Sequence, residues 1–95
     1  MQIKDIVIGK KTAKGIEIPM QNANLVLIIA KKGYIMCGYL NMDVAEKLTE
    51  SAVIITGVKT AEDMLEKKVV AVSYAAKKLG IKIGMAGKMA LKKLI

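Results

Sequence analysis

The sequence predicts an α+β domain: a mixed, mostly antiparallel five-stranded sheet with about four short helices. Three observations point there. Short β-branched runs separated by turn residues fill the first forty positions, as in IKDIVI and LVLIIA. Helix-cap residues then alternate with apolar stripes of helical spacing through the second half. Between the halves, a strand, a helix and a strand follow one another within about 25 residues, which requires a parallel crossover.

The elements follow in order. Residues 3–8, IKDIVI, end at Gly9 and a lysine pair and form the first strand. Residues 10–15 are a turn. Ile16, Ile18 and Met20 alternate with Glu17 and Pro19, a period of two that predicts a half-buried strand with Glu17 facing out. Pro19 cannot donate a ladder hydrogen bond, so this strand ends there or lies at an edge. QNAN, residues 21–24, turns the chain into Leu25–Ala30, apolar at every position and expected to be buried on both faces. Lys31, Lys32 and Gly33 connect it to a strand from Tyr34 to about Leu40. Its alternation puts Tyr34, Met36, Gly38 and Leu40 on one face and Ile35, Cys37 and Tyr39 on the other.

Asn41 or Asp43 starts the first helix, with Asp43 and Glu46 at capping-box spacing. AVIITGV, residues 52–58, is the fifth strand, parallel to the fourth. Thr60 with Asp63 opens a second helix to about Glu66. Val72, Ala75, Ala76 and Leu79 predict a third helix from Val70, stopped by Gly80. Residues 81–87 connect to a last helix with Gly87, Ala90, Leu91 and Leu94 on one stripe. No linker, repeat or low-complexity tract divides the chain, so residues 1–95 are one domain.

Composition narrows the function. Apolar residues make up 54% of a 95-residue chain, more than so small a body can hide, which predicts a homo-oligomer. The longest apolar run, Leu25–Ala30, is far short of the ~20 residues of a spanning helix, and charges interrupt the N-terminus where a signal peptide is apolar. A single cysteine fits a reducing compartment, and the expected location is the cytoplasm, with no membrane partner. With no histidine, the common zinc patterns and the Cys–His and Ser–His pairs are excluded, and no cofactor is indicated.

All sixteen basic residues are lysine, and the net charge of +8 divides as +4, −3 and +7 over residues 1–41, 42–67 and 68–95. Lys77, Lys78, Lys92 and Lys93 fall where helix C-termini are expected, where the macrodipole favours cations. Without arginine, phenylalanine or tryptophan, specific nucleic-acid binding is not expected; lysine alone gives a salt-sensitive, sequence-blind polyanion binder.

The candidate site positions are Cys37, Gly38, Gly84 and Gly87. Cys37, in mid-strand, reads as a small buried hydrophobe; as a nucleophile it needs an activating neighbour, and Lys31 and Lys32 lie roughly 15 Å away along an extended strand. Gly38 leaves a gap in the sheet, read first as room for packing and second as room for a ligand. Gly84 and Gly87 flank the last helix's start, where free N–H groups can receive an anion, although G-x-x-G is too short to be a phosphate fingerprint. Asp43, Glu46, Glu50, Glu62, Asp63 and Glu66 read as solvated helix faces.

Three blocks carry a resemblance: Gly33, Tyr34, Met36, Cys37 and Gly38; then Thr56, Gly57, Val58 and Thr60; then Leu79, Gly80, Ile81, Gly84, Met85 and Gly87. The chain resembles the YunC-like proteins, small bacterial and archaeal proteins grouped as a domain of unknown function. The resemblance implies an α+β fold and makes Cys37 part of the family pattern; it implies no activity. With no complete catalytic constellation in the chain, the leading expectation is an oligomeric binding or regulatory module whose apolar surface suits association or a small ligand. A thiol enzyme using Cys37 is the alternative, and the lysine-based polyanion binder the third.

Overall fold

The computed structural model describes residues 1–95. Its first half lays down β1 (Gln2–Ile8), β2 (Lys11–Pro19), β3 (Asn24–Ile29) and β4 (Tyr34–Met36), each antiparallel to the one before. The first connection is tighter than the sequence predicts. Ile8 pairs with Lys11 across a two-residue turn in which Gly9 takes φ +62, a conformation that glycine adopts without steric cost. Helix α1 (Met42–Lys47), capped by the Asn41 side chain on the Asp43 N–H, carries the chain over to β5 (Ala52–Ile54). This strand joins β4 in parallel, Ile35 opposite Val53, as the crossover requires.

Helix α2 (Ala61–Glu66) opens on the Thr60–Asp63 capping box. The chain then forms β6 (Ala71–Val72), α3 (Tyr74–Lys78) and α4 (Gly87–Leu94). The sheet therefore has six strands, ordered β1-β2-β3-β4-β5-β6, with only the β4–β5 pair parallel. The class is the expected α+β.

The sixth strand lies where helical spacing predicts the beginning of α3, and Ser73 explains the difference. Val70 N–H donates to Ile54 O and Ser73 N–H to Ala52 O, both at 2.9 Å, so β5 holds this segment extended. The fully buried Ser73 hydroxyl then accepts from Ala52 N–H at 2.9 Å and Ala76 N–H at 3.2 Å, and donates to Glu50 O at 2.8 Å. One side chain ends the strand, caps the helix and satisfies a buried amide of β5. Ser73→Ala is expected to cost about 2–3 kcal/mol, since it removes a cap and leaves a buried N–H unpaired. A urea midpoint unchanged from wild type would contradict this.

One sheet face carries the main core. Ile6, Val26, Ile28, Ile35 and Val53 pack there against Ala61 and Met64 of α2 and Ala90, Leu91 and Leu94 of α4. The stripe predicted for α4 is the stripe it buries. The other face is covered at one end only, where Ala45 of α1 meets Met36 and Ala52. On this face an apolar row of paired positions, Ile3, Ile16, Leu27, Met36 and Ile54, crosses five strands, running from the cluster around Met36 out to the uncovered end at Ile3. Ile3 is 59% exposed and Val7 63%. Leu25–Ala30 is thus an interior strand, but it is not buried on both faces: Val26 and Ile28 are covered while Ile29 is exposed.

Strand β2 has the predicted period with the faces reversed. Ala13, Gly15 and Glu17 turn towards the helices, and Ile16 and Ile18 lie on the open face. Glu17 is buried because its carboxylate accepts the Ala61 N–H at 2.8 Å and pairs with Lys4 at 2.7 Å. Gly15 permits that approach: a Cβ there would stand 2.7 Å from the Ala61 Cβ.

Candidate functional site

Strands β4 and β5 run in the same direction, so their carboxyl ends open at the same edge, and the chain leaves each by a turn. The predicted strand to Leu40 stops at Met36, and Cys37–Leu40 is a turn closed by Leu40 N–H on Cys37 O at 3.2 Å. After β5 the chain turns at Thr56–Val58, with Gly57 at φ +73. Between the two turns lies a crevice of about 290 Å³. Cys37, Gly38 and Tyr39 line one side and Thr56, Gly57 and Val58 the other; Ala23 and Asn24, at the start of β3, complete it.

Two glycines keep the crevice open. A Cβ on Gly38 would meet only Thr56 Cγ2, at an ordinary 3.5 Å, and a Cβ on Gly57 would meet nothing within 4 Å. The packing role expected first for Gly38 is therefore absent; its missing side chain faces open space. Gly87 is the opposite case. A Cβ there would stand 1.7 Å from Met64 O, so it is the glycine that close packing demands.

The structure does not bring Gly84 and Gly87 to Cys37 and Gly38 along this crevice. Their N–H groups are also engaged, Gly84 with Val69 O and Gly87 with Lys67 O, both at 2.8 Å. An anion at that helix start would find these two donors taken.

Cys37 is 4% exposed and forms the crevice's inner end. Its N–H donates to Val26 O at 3.2 Å, and its Sγ accepts the Val26 N–H at 3.3 Å. The thiol thus continues the β3–β4 ladder with a sulfur in place of a carbonyl. Lys31 and Lys32 lie before the start of β4, at the opposite end of the strand.

The second turn is held by polar contacts that the sequence reveals only in part. Asp63 accepts N–H bonds from Lys59 at 3.0 Å and Thr60 at 3.2 Å. The Lys59 N–H bond is the chief reason that its carboxyl lies below the usual range. Asn24 Nδ2 donates to Lys59 O at 2.8 Å, tying the β3 end to this turn across 35 positions. The cap was legible from Thr60-x-x-Asp63; for Asn24 the only signal was a polar turn residue.

Three of the other acids, Glu46, Glu50 and Glu62, are engaged as well. Glu46 accepts the Tyr74 N–H at 3.0 Å, and Glu62 pairs with Lys4 at 3.0 Å. Glu46 does not close a box with Asp43, as predicted; it reaches α3 instead. Tyr34 OH donates to Glu50 at 2.6 Å. Burial, reinforced by this bond, pushes the Tyr34 phenol up to about 12. The folded protein thus holds that proton more tightly than the unfolded chain does. The associated stability is full below pH 10.0 and is lost as pH rises towards about 12. An ultraviolet titration should show one tyrosine ionising near the upper value in wild type and none there in Tyr34→Phe.

A larger hollow of about 480 Å³ lies between the β1–β2 turn and α4, with Lys11, Lys88 and Lys92 around it.

Comparisons with known proteins give the following. Residues 36–94 match the model of a family described as a domain of unknown function, DUF1805, a span that holds Cys37, Gly38 and the whole Thr56–Val58 turn. The chain is 32% identical over 99 residues to the uncharacterized protein YunC of Bacillus subtilis, an alignment spanning all of this chain and 98% of that one. The crystal structure of TA1206 from Thermoplasma acidophilum, a protein of unknown function, superposes with a TM-score of 0.94 at 44% identity, covering 99% of this chain and 92% of that one.

Proposed function

The chain belongs to the DUF1805 family, shared with YunC and without an assigned activity, and on that premise we propose that it is a small-ligand binding or regulatory module, working as a cytoplasmic homo-oligomer. The crevice at the carboxyl ends of β4 and β5 carries this reading. In sheets with parallel strands, loops leaving the carboxyl ends diverge and leave space that ligands occupy. Here two glycines keep that space from being filled. Its volume, at the lower end for ligand pockets, suits a small metabolite.

Gly38→Val supplies the test. The new side chain points into open space, so the fold should survive while the crevice shrinks. Metabolites that raise the melting temperature of wild type should leave this variant's unchanged. Equal stabilisation of both proteins would move the site elsewhere.

The oligomer rests on the open sheet face. Ile3, Val7 and Ile29 are exposed beside half-buried Ile16, Ile18, Leu25 and Leu27, and contiguous exposed apolar surface marks interaction sites. A second copy meeting the first face to face would cover it. Native mass spectrometry should show a defined oligomer that Ile3→Lys with Val7→Lys breaks; a wild-type monomer would remove this part of the reading. No helix is long and apolar enough to cross a membrane.

The thiol enzyme is the second reading, favoured by one observation: Cys37 lines the crevice, with its Sγ held in place by the Val26 N–H. It predicts rapid alkylation of native Cys37 at neutral pH. The binding module predicts slow alkylation that speeds up on unfolding.

A further inference from the structure

Which ligand the crevice takes can be argued from its backbone. The two turns that form it contribute five N–H groups, those of Gly38, Tyr39, Thr56, Gly57 and Val58, and none of them has a backbone acceptor in the protein. The side-chain acceptors nearby serve the amides that follow. Asp63 takes Lys59 and Thr60, and Glu17 takes Ala61. Unpaired donors are thus confined to the part of the turn that lines the crevice. Val58 is the one buried residue of the five, at 8% exposed; Gly38, Tyr39, Thr56 and Gly57 are exposed residues, and an exposed N–H without a protein acceptor is free to bond water or a ligand.

The side chains agree. No carboxylate lines the crevice; Asp63, beside it, is already held by the Lys59 and Thr60 N–H groups, and Tyr39 and Thr56, among the lining residues, carry hydroxyls. Asn24 offers no competing amide, since its Nδ2 is held by Lys59 O. A net charge of +8 draws anions from a distance. Successive backbone N–H groups at the rim of a cavity make an anion receptor without a charged side chain.

We propose, resting on the crevice being the ligand site, that it receives a small oxyanion, the carboxylate or phosphate group of a metabolite, through the N–H groups of Gly38, Thr56, Gly57 and Val58. Cys37, at the inner end, then sits beside the apolar part of that ligand.

The test is amide chemical-shift titration of the full chain with sodium acetate, inorganic phosphate and neutral acetamide, each against sodium chloride at matched ionic strength. Saturable shifts of the Gly38, Gly57 and Val58 amides with acetate alone identify a carboxylate ligand, and with phosphate alone a phosphoryl ligand; either supports the proposal. Gly38→Val should weaken the effective anion by about tenfold to a hundredfold. Shifts of the same amides with acetamide but neither anion would overturn the proposal and leave the crevice as a site for neutral ligands. Silence at these amides with all three probes, or shifts centred on Lys11, Lys88 and Lys92, would overturn it too.

Discussion

Gly87→Ala is expected to lower the melting temperature by about 12–24 °C, the equivalent of roughly 3 kcal/mol in a domain of this size. The new Cβ would lie 1.7 Å from the Met64 carbonyl oxygen, 2.8 Å from its carbon and 2.9 Å from Ile55 Cδ1. Two of the three obstacles are backbone, so no rotamer change relieves them. Helix α4 must draw back from α2 or unwind its first turn, and the Gly87 N–H bond to Lys67 O goes with it. Because Ala90, Leu91 and Leu94 are fully buried on the same helix, a shift of an ångström opens the core along its length. Gly38→Ala is the control. Its Cβ meets only Thr56 Cγ2 at 3.5 Å, and the melting temperature should hardly move. If Gly87→Ala melts within a few degrees of wild type, the α2–α4 contact is softer than this geometry implies.

The two glycines show what a sequence can and cannot reveal. Gly38 reads as a gap in a strand and Gly87 as part of the apolar stripe of the last helix, but only the distance to atoms far along the sequence shows that the first faces a crevice and the second is pressed against a carbonyl. Local chemistry was legible. The Thr60–Asp63 cap, Gly80 at φ +90 after α3, the apolar stripe of α4 and the parallel β4–β5 pair all follow from patterns a few residues long. The terminal lysines, Lys77 and Lys78, then Lys92 and Lys93, occupy the last turns of α3 and α4 as the helix dipole favours.

What was not legible depends on long-range partners. Residues 71–72 are a strand because β5 offers them hydrogen bonds, although their own spacing is helical. The crevice needs Asn24, the β4 end and the β5 end together, and of these the sequence pointed only to Cys37 and Gly38. That cysteine is as buried as its strand position suggests, and it also lines the cavity.

Glu17 is the sharpest reversal, and it makes a second large effect. Glu17→Ala is expected to cost about 2–4 kcal/mol, because it leaves the Ala61 N–H, in a residue with no exposure, without an acceptor. Lys4 would keep only Glu62, at the surface. Glu17→Gln retains a carbonyl for Ala61 and forfeits the ion pair, and should cost about 1 kcal/mol. The pH dependence separates the two roles. Hydrogen bonding to Glu17 and then Glu62 raises the Lys4 value above 10.5. Its contribution is therefore complete below that pH and is lost as pH rises through the folded value. Glu62, lowered from 4.5 chiefly by its bond to Lys4, contributes above that pH and loses its share as pH falls through the folded value. Either substitution at Glu17 should flatten the alkaline limb, since Lys4 loses its main partner, and leave the Glu62 limb in place. Urea unfolding from acid to alkaline pH would show it. If Glu17→Gln proves as damaging as Glu17→Ala, the buried charge itself, and not the acceptor for α2, is what holds the β1–β2 hairpin against the helix.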